Sequence, residues 1–359
     1  MTIDAVLLAS FGGPEGPDEV MPFLERVTAG RGVPRERLEE VSHHYLALGG
    51  VSPINAQNRL LIEHLRAEFG VRGIDLPIYW GNRNSAPFFA DALREIAADG
   101  HHRVLAIATS AYSSYSGCRQ YRENLAGALA EAGLEGALEI VKARPYFDRP
   151  GFVEPFAEGI AKALLAFDAE GFPPDATHVF FTTHSIPTSM DETSGPEASR
   201  VAGGPGLYER QHLDAAGRAI AGAATISGMD APDWSLVYQS RSGPPHIPWL
   251  GPDISDALRE AAANGTEAAV VVPIGFVSDH VEVIWDLDNE AQETATELGM
   301  AFARVSTPGV EPAFVGSLVD LVEEATGGAA LVHEPNWANL CSGACCPNAR
   351  ADLPIIVGG

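Results

Sequence analysis

PIGFVSDHVEVIWDLDNE, residues 273–290, runs from a buried-strand pattern into a helix that carries acids on one face. Overlapping its start, Ala268–Ile274 (AAVVVPI) is a short unbroken apolar run, the look of a parallel strand covered on both faces. The helical stretch that follows places Glu282, Asp286 and Glu290 four residues apart. On an α-helix that spacing sets the three carboxylates in a row, drifting about 40° per step. Like charges stacked this way weaken an isolated helix, and a hard or borderline divalent cation would compensate them. A solvated acidic face on an acidic chain explains the same spacing, so the row alone does not choose between the two.

A second segment, Phe180–Pro187 (FFTTHSIP), has the same build: the apolar run Thr177–Thr183 ends in His184 and Ser185, and Pro187 stops it. In parallel α/β sheets, ligands bind at the carboxyl ends of strands. A single His at such an end is more often structural than catalytic. Further strand-like runs lie at Ala5–Ser10, Leu76–Trp80, Val104–Thr109, Ala137–Val141, Leu236–Gln239 and Ala301–Val305. Helical patterns lie between them, at Asn58–Phe69, Phe88–Asp99 and Arg122–Ala132. Strands alternating with helices predict parallel α/β sheets with right-handed crossovers. No GxGxxG follows any strand, so no dinucleotide fingerprint is present.

The two halves echo each other. Ile78–Ser85 (IYWGNRNS) matches Leu236–Gly243 (LVYQSRSG) in pattern, and Leu105–Tyr121 parallels Val270–Trp285. The fold expected is α/β: two similar Rossmann-like lobes with parallel sheets and the active site in the cleft between them. Linker chemistry at Arg144–Gly151 (RPYFDRPG) sets the expected boundary. It gives a first lobe at 1–150, completed by a C-terminal segment 308–359, and a second lobe at 151–307. Ser189–Gly206, rich in Gly, Ser and acids, is expected as mobile surface with some contact to substrate.

Composition narrows the partners. Hydrophobic residues at 46% and charged ones at 20%, in 359 residues, fit a globular chain long enough for two domains. Met1–Ser10 lacks a basic start and reads as a strand, and no apolar run approaches the ~20 residues of a membrane span. A soluble, cytoplasmic protein without stable membrane insertion is expected. The net charge of −25 repels nucleic acid and anionic headgroups alike, so neither is a partner class. Arg31, Arg119, Arg122 and Arg241 are the cations beside the motifs that an anionic ligand would need.

THSIP and GFVSDHVEVIWDLDNE, taken together, resemble the two signature segments of ferrochelatases, enzymes that insert ferrous iron into porphyrins. The resemblance extends to SFGGPEGPDEV (Ser10–Val20), YLALGGVSPIN (Tyr45–Asn55), SGCRQYREN (Ser116–Asn124) and PWLGPDI (Pro248–Ile254). The wording of the first block is most similar to the actinobacterial, coproporphyrin III branch. The resemblance implies that His184 and Glu282 face each other at the macrocycle centre, as the catalytic pair and as metal ligands. It makes Asp286 and Glu290 an outer cation path. It assigns Phe11, Arg31, Tyr45, Ser52 and Tyr121 to the porphyrin, with Ser52 and Tyr121 anchoring propionates. Tyr112, Tyr115, Trp249 and Trp285 also fall in motif blocks and are expected among the walls. Two departures stand out: Phe11 where Bacillus-type relatives carry a Tyr that can reach the metal, and Asn84 where many relatives have His.

His titrates near neutrality and can take a pyrrole proton or ligate iron. Carboxylates crowded together gain proton affinity and can relay protons. Ser185 beside His184 lacks a G-x-S-x-G elbow, which argues against hydrolase chemistry.

The four cysteines are unevenly spread: Cys118 stands alone, and Cys341, Cys345 and Cys346 (CSGACC) cluster near the end. Four thiolates bind either Zn²⁺ or a [2Fe–2S] cluster, and the resemblance implies a [2Fe–2S] cluster. The function expected is Fe²⁺ insertion into coproporphyrin III. The alternatives are the same reaction on protoporphyrin IX and a non-catalytic haem or iron–sulfur sensor on the same fold. Two lobes enclosing their own site need no partner, so a monomer is expected.

Overall fold

Nine strands form two all-parallel sheets in the computed structural model, which describes residues 2–243, 246–327 and 343–358. The strands are β1 (Ala5–Ser10), β2 (Ile78–Asn82), β3 (Arg103–Ala108), β4 (Glu139–Lys142), β5 (Thr177–His184), β6 (Asp233–Gln239), β7 (Ala268–Val272), β8 (Ala301–Arg304) and β9 (Val357–Gly358). One sheet runs β2-β1-β3-β4-β9 and the other β6-β5-β7-β8. Apart from β9 the two orders are the same, so the echo between the halves is a repeat of topology. In each sheet the first strand is the switch point: the chain steps to one side, then returns to the other. Such points open a crevice at the strands' carboxyl ends.

The apolar runs are strands because both their faces are covered. Along β1, Val6 and Leu8 enter one core while Ala5, Leu7 and Ala9 enter another. Along β7, Ala268, Val270 and Val272 face one core and Ala269 and Val271 the opposite one. The largest core draws on both sheets, with Val6 and Leu8 from the first and Val179, Phe181 and Val270 from the second. The sheets are also pinned directly, by the Tyr112 hydroxyl on the Ile274 carbonyl (2.9 Å) and the Asp279 N–H on Gln57 Oε1 (2.9 Å). Helix Pro150–Glu170 packs against helices Leu207–Ser227 and Pro312–Ala325, and the last also covers helix Ile54–Arg72 of the first sheet. Among the described residues no helix is long and apolar enough to cross a membrane.

Two expectations need correction. The acidic helix after β7 is not uniformly α. Val281–Val283 is α, Ile284–Ala291 is π-helical, and Gln292–Glu297 returns to α. The stretch Arg144–Gly151 is held by ion pairs: Arg144 pairs with Asp148 at 2.9 Å, and Arg149, fully buried, pairs with Glu324. The segment Ser189–Gly206 is pinned rather than mobile surface. Asp191, 2% exposed, accepts the Gly206 and Glu209 N–H groups at 2.7 and 3.1 Å, capping the helix that follows.

Candidate active site

His184 is the last residue of β5, so its ring emerges at the carboxyl edge of the second sheet. Its Nδ1 lies 2.5 Å from the Ser185 carbonyl oxygen. A carbonyl only accepts, so Nδ1 carries a proton and Nε2 is the ring nitrogen left to act on a ligand. That Nε2 lies 3.9 Å from Glu282 Oε2, beyond hydrogen-bond reach. Both side chains keep solvent access, at 35% and 42%. The sequence brings these two together from elements about a hundred positions apart because β5 and β7 are neighbours in the sheet.

Behind His184 stands a set of groups that the motifs do not reveal. The Tyr208 hydroxyl donates to the His184 carbonyl at 2.9 Å and lies 2.7 Å from Thr183 Oγ1, which in turn is 2.9 Å from His212 Nε2. His212 is fully buried, its Nδ1 hydrogen-bonds the Tyr208 carbonyl at 2.7 Å, and burial pushes its pKa down to about 3. It is a neutral strut that fixes the strand end carrying His184. Tyr112 belongs to this strut and not to a porphyrin wall: its ring stacks on His212 at 3.5 Å and 13°, and it is 3% exposed.

The acidic row is graded from inside outward. Asp286 accepts hydrogen bonds from the Ser240 hydroxyl and from Gln239 Nε2 (3.2 Å), both at the carboxyl end of β6. Its pKa is pushed up to about 7, first by burial and then by Glu282 and Glu290, against the pull of those donors. Ser240 reaches it from a left-handed backbone conformation, φ +58°. Glu290, exposed, accepts the Trp285 indole N–H at 2.9 Å, and Trp285 stacks on His44 at 4.2 Å and 8°. The π segment alters the geometry expected of the row. Its i→i+5 bonds widen each turn, so residues four apart fall short of a full turn where an α-helix overshoots it. Among the described residues no three His, Cys, Asp or Glu side chains stand together as a preformed metal-holding set.

The opposite wall comes from the first sheet. Phe11 follows β1 in a loop where Gly12 sits at φ +78°, and a Cβ there would fall 2.4 Å from Ser85 Oγ. Asn84 turns its amide onto the Phe11 carbonyl (3.1 Å), so this departure from the family pattern is spent on the loop. Ser52 is buried against the same loop, its N–H on the Pro14 carbonyl at 2.8 Å. Tyr45 is buried with Phe23, Leu38 and Val281 under the paired helices Pro17–Val27 and Arg35–Ala47. Its hydroxyl is pushed well above its ordinary range by burial, then by Glu282 and Asp286. Tyr121 is buried on helix Gln120–Ala132. Arg31 is exposed at the rim.

Two of the other cations expected to greet an anion are committed elsewhere. Arg119, buried, pairs with Glu123 at 3.0 Å and also donates to the Gly343 carbonyl. Arg122, buried, donates to the Ile356 carbonyl at 3.1 Å, fastening the chain that forms β9. Arg241 reaches the Ile247 carbonyl at 3.3 Å.

Of the four cysteines, Cys341 lies outside the described residues. Cys118, Cys345 and Cys346 are 2, 3 and 1% exposed, and the Cys345 and Cys346 sulfurs are 3.7 Å apart. Cys346 Sγ interacts with both Cys118 and Cys345, and it accepts the Gly195 N–H at 3.1 Å. Buried thiols are the residue type that holds a thiolate-bound metal group, yet among the described residues they do not stand together as a preformed metal-holding set.

Two like-wound α/β lobes, with His184 and a row of carboxylates at the strand ends of the second, define a two-lobe α/β protein. A family model described as Ferrochelatase matches residues 3–326, and the chain belongs to that family. A coproporphyrin III ferrochelatase of Streptomyces coelicolor is 54% identical over 99% of this chain and 96% of that protein. One of Nocardia farcinica is 50% identical over 98% of each. Among solved structures, the sirohydrochlorin chelatase SirB of Bacillus subtilis subspecies spizizenii, in complex with cobalt, aligns at TM-score 0.48 and 10% identity. That alignment covers 90% of this chain and 95% of that one.

Proposed function

We propose that the protein inserts ferrous iron into coproporphyrin III, giving Fe-coproporphyrin III, with iron and porphyrin both as substrates. The observation that carries the reading is the His184–Glu282 pair at 3.9 Å, with Nδ1 of His184 already occupied, in a chain of this family. The reaction needs two pyrrole protons removed, the flat macrocycle puckered to expose lone pairs, and water stripped from Fe²⁺. His184 Nε2 takes the pyrrole protons, and Glu282 beside it accepts them in turn. Asp286, poised near neutrality, passes protons out and cations in along the row toward Glu290. Phe11 and Tyr45 line the ring's path, while Ser52, Tyr121 and Arg31 anchor propionates. Phe11 has no oxygen, so residue 11 supplies no axial ligand.

We further propose that Cys118, Cys341, Cys345 and Cys346 hold a [2Fe–2S] cluster. When bound, its iron–thiolate bonds cross-link the C-terminal segment to the helix after β3, and insertion itself draws no electron from it. On this reading the chain divides into 1–150 with 308–359, and 151–307, and works as a monomer enclosing its own cleft.

Anaerobic Fe²⁺ insertion, assayed in parallel with coproporphyrin III and protoporphyrin IX, tests the substrate. A clear preference for coproporphyrin III is expected. Preference for protoporphyrin IX would overturn the substrate, and insertion into neither would overturn the activity.

A further inference from the structure

Arg83 follows β2, held by its N–H on the Ser10 carbonyl at 3.0 Å. Its guanidinium lies between two rings of the cleft, 5.3 Å from the centroid of Phe11 and 4.9 Å from that of Tyr121. Among the described residues it forms no ion pair; Tyr121 hydrogen-bonds its side chain, while its Nε is buried with no hydrogen-bond partner. Glu123, an acid that acts on it electrostatically, is taken up by Arg119, by the Tyr115 hydroxyl (3.1 Å) and by Asn348 (3.0 Å). Arg31 and Arg350 add positive charge: Arg31 is held below its ordinary range by desolvation first, then by repulsion from Arg350 and Arg83.

A cation with a buried, unpartnered donor is costly unless something satisfies it. This chain has 48 acids against 23 bases, yet among the described residues no acid forms an ion pair with this arginine. The guanidinium is planar by its own delocalisation and the two rings flank it, which is the preparation a two-point carboxylate contact needs.

We infer that Arg83 is a binding residue for a carboxylate of a planar aromatic ligand. Resting on the function proposed above, that carboxylate is a porphyrin propionate, and Arg83 favours the more carboxylated of the candidate porphyrins. Lone cations such as Arg31 at the rim steer the anion; Arg83, inside the walls, fixes its orientation.

Equilibrium binding of coproporphyrin III and of its tetramethyl ester, in the same mild detergent, tests this with wild type, Arg83→Gln and Arg83→Lys. The expected result is an Arg83→Gln Kd for the acid raised about tenfold, the scale of one charge-assisted hydrogen bond. Its Kd for the ester should be unchanged, and Arg83→Lys should fall between. Because the lysine variant keeps the charge, it reports even where the glutamine variant folds poorly. An unchanged acid affinity in both variants overturns the inference, as does an equal loss for acid and ester, which would mean lost wall packing. A wild type that binds neither porphyrin overturns the functional reading and this inference with it.

Discussion

Each site residue has a protonation state set by what surrounds it. His184 carries a proton on Nδ1, set by one carbonyl, and that leaves Nε2, on the side of Glu282, to act on a ligand. Asp286 has its carboxyl raised from 3.8 to about 7, by burial first and by its like-charged neighbours next. Between those pH values the folded chain holds a proton that the unfolded chain has released, so stability falls as pH rises through that window. Asp286→Asn abolishes the effect. Relative to wild type, the variant gains stability progressively from about pH 4 to about pH 7 and keeps that advantage above, on the order of 1–3 kcal/mol. Thermal unfolding across the window checks it, and an advantage that is flat or shrinks with rising pH would contradict the assignment. His184 and Glu282 stood out by pattern only as a strand-end histidine and the first acid of a periodic row; the resemblance of their two segments to ferrochelatase signatures is what paired them. Tyr208, Thr183 and His212 were not: they act through a carbonyl and through one another, and no spacing in one chain announces that.

At the scale of elements, the two strand–loop–helix units that mirror each other both carry π turns. Tyr115–Arg119 follows β3 and Ile284–Ala291 follows β7. Such turns concentrate at functional sites because they redirect side chains within a continuous helix. Periodicity predicted plain α-helix over 284–291, while Tyr115–Arg119 lies ahead of the helix expected at Arg122–Ala132. The C-terminal segment behaves as a strap. Cys346 exchanges hydrogen bonds with Gly195 on the second lobe's side, while Arg119 and Asn348 tie the segment to the first. Gly195 sits at φ +79° against Leu207, the residue before the Tyr208 that steadies His184. Cys346→Ser should therefore yield protein without visible absorption and with a melting temperature lower by several degrees, the effect of losing about 1–3 kcal/mol. Absorption spectra and thermal melts of the two proteins decide this; an unchanged spectrum would contradict the cluster. The strap's tie to Gly195 has no sequence signature, because a Gly-rich acidic stretch reads as surface until a partner is seen on it.

For the molecule as a whole, eight of the nine strands were legible as apolar runs, and the parallel repeat followed from their alternation with helices. Only β9, two residues joining from the far end of the chain, was too short to show a pattern. The shared core beneath both sheets holds the lobes in one frame, so a strand end from one and a loop from the other can face a flat ligand together. The account depends on that frame aiming His184 at a macrocycle, and the most direct test separates chemistry from binding. Wild type and His184→Ala are compared for anaerobic Fe²⁺ insertion into coproporphyrin III, with porphyrin affinity measured on the same samples. The prediction is insertion slowed at least about a hundredfold, the usual worth of a positioned base, with affinity changed less than about threefold. Near-normal turnover in His184→Ala would contradict the mechanism. Tight porphyrin binding with no insertion by the wild type would leave a sensor in place of an enzyme.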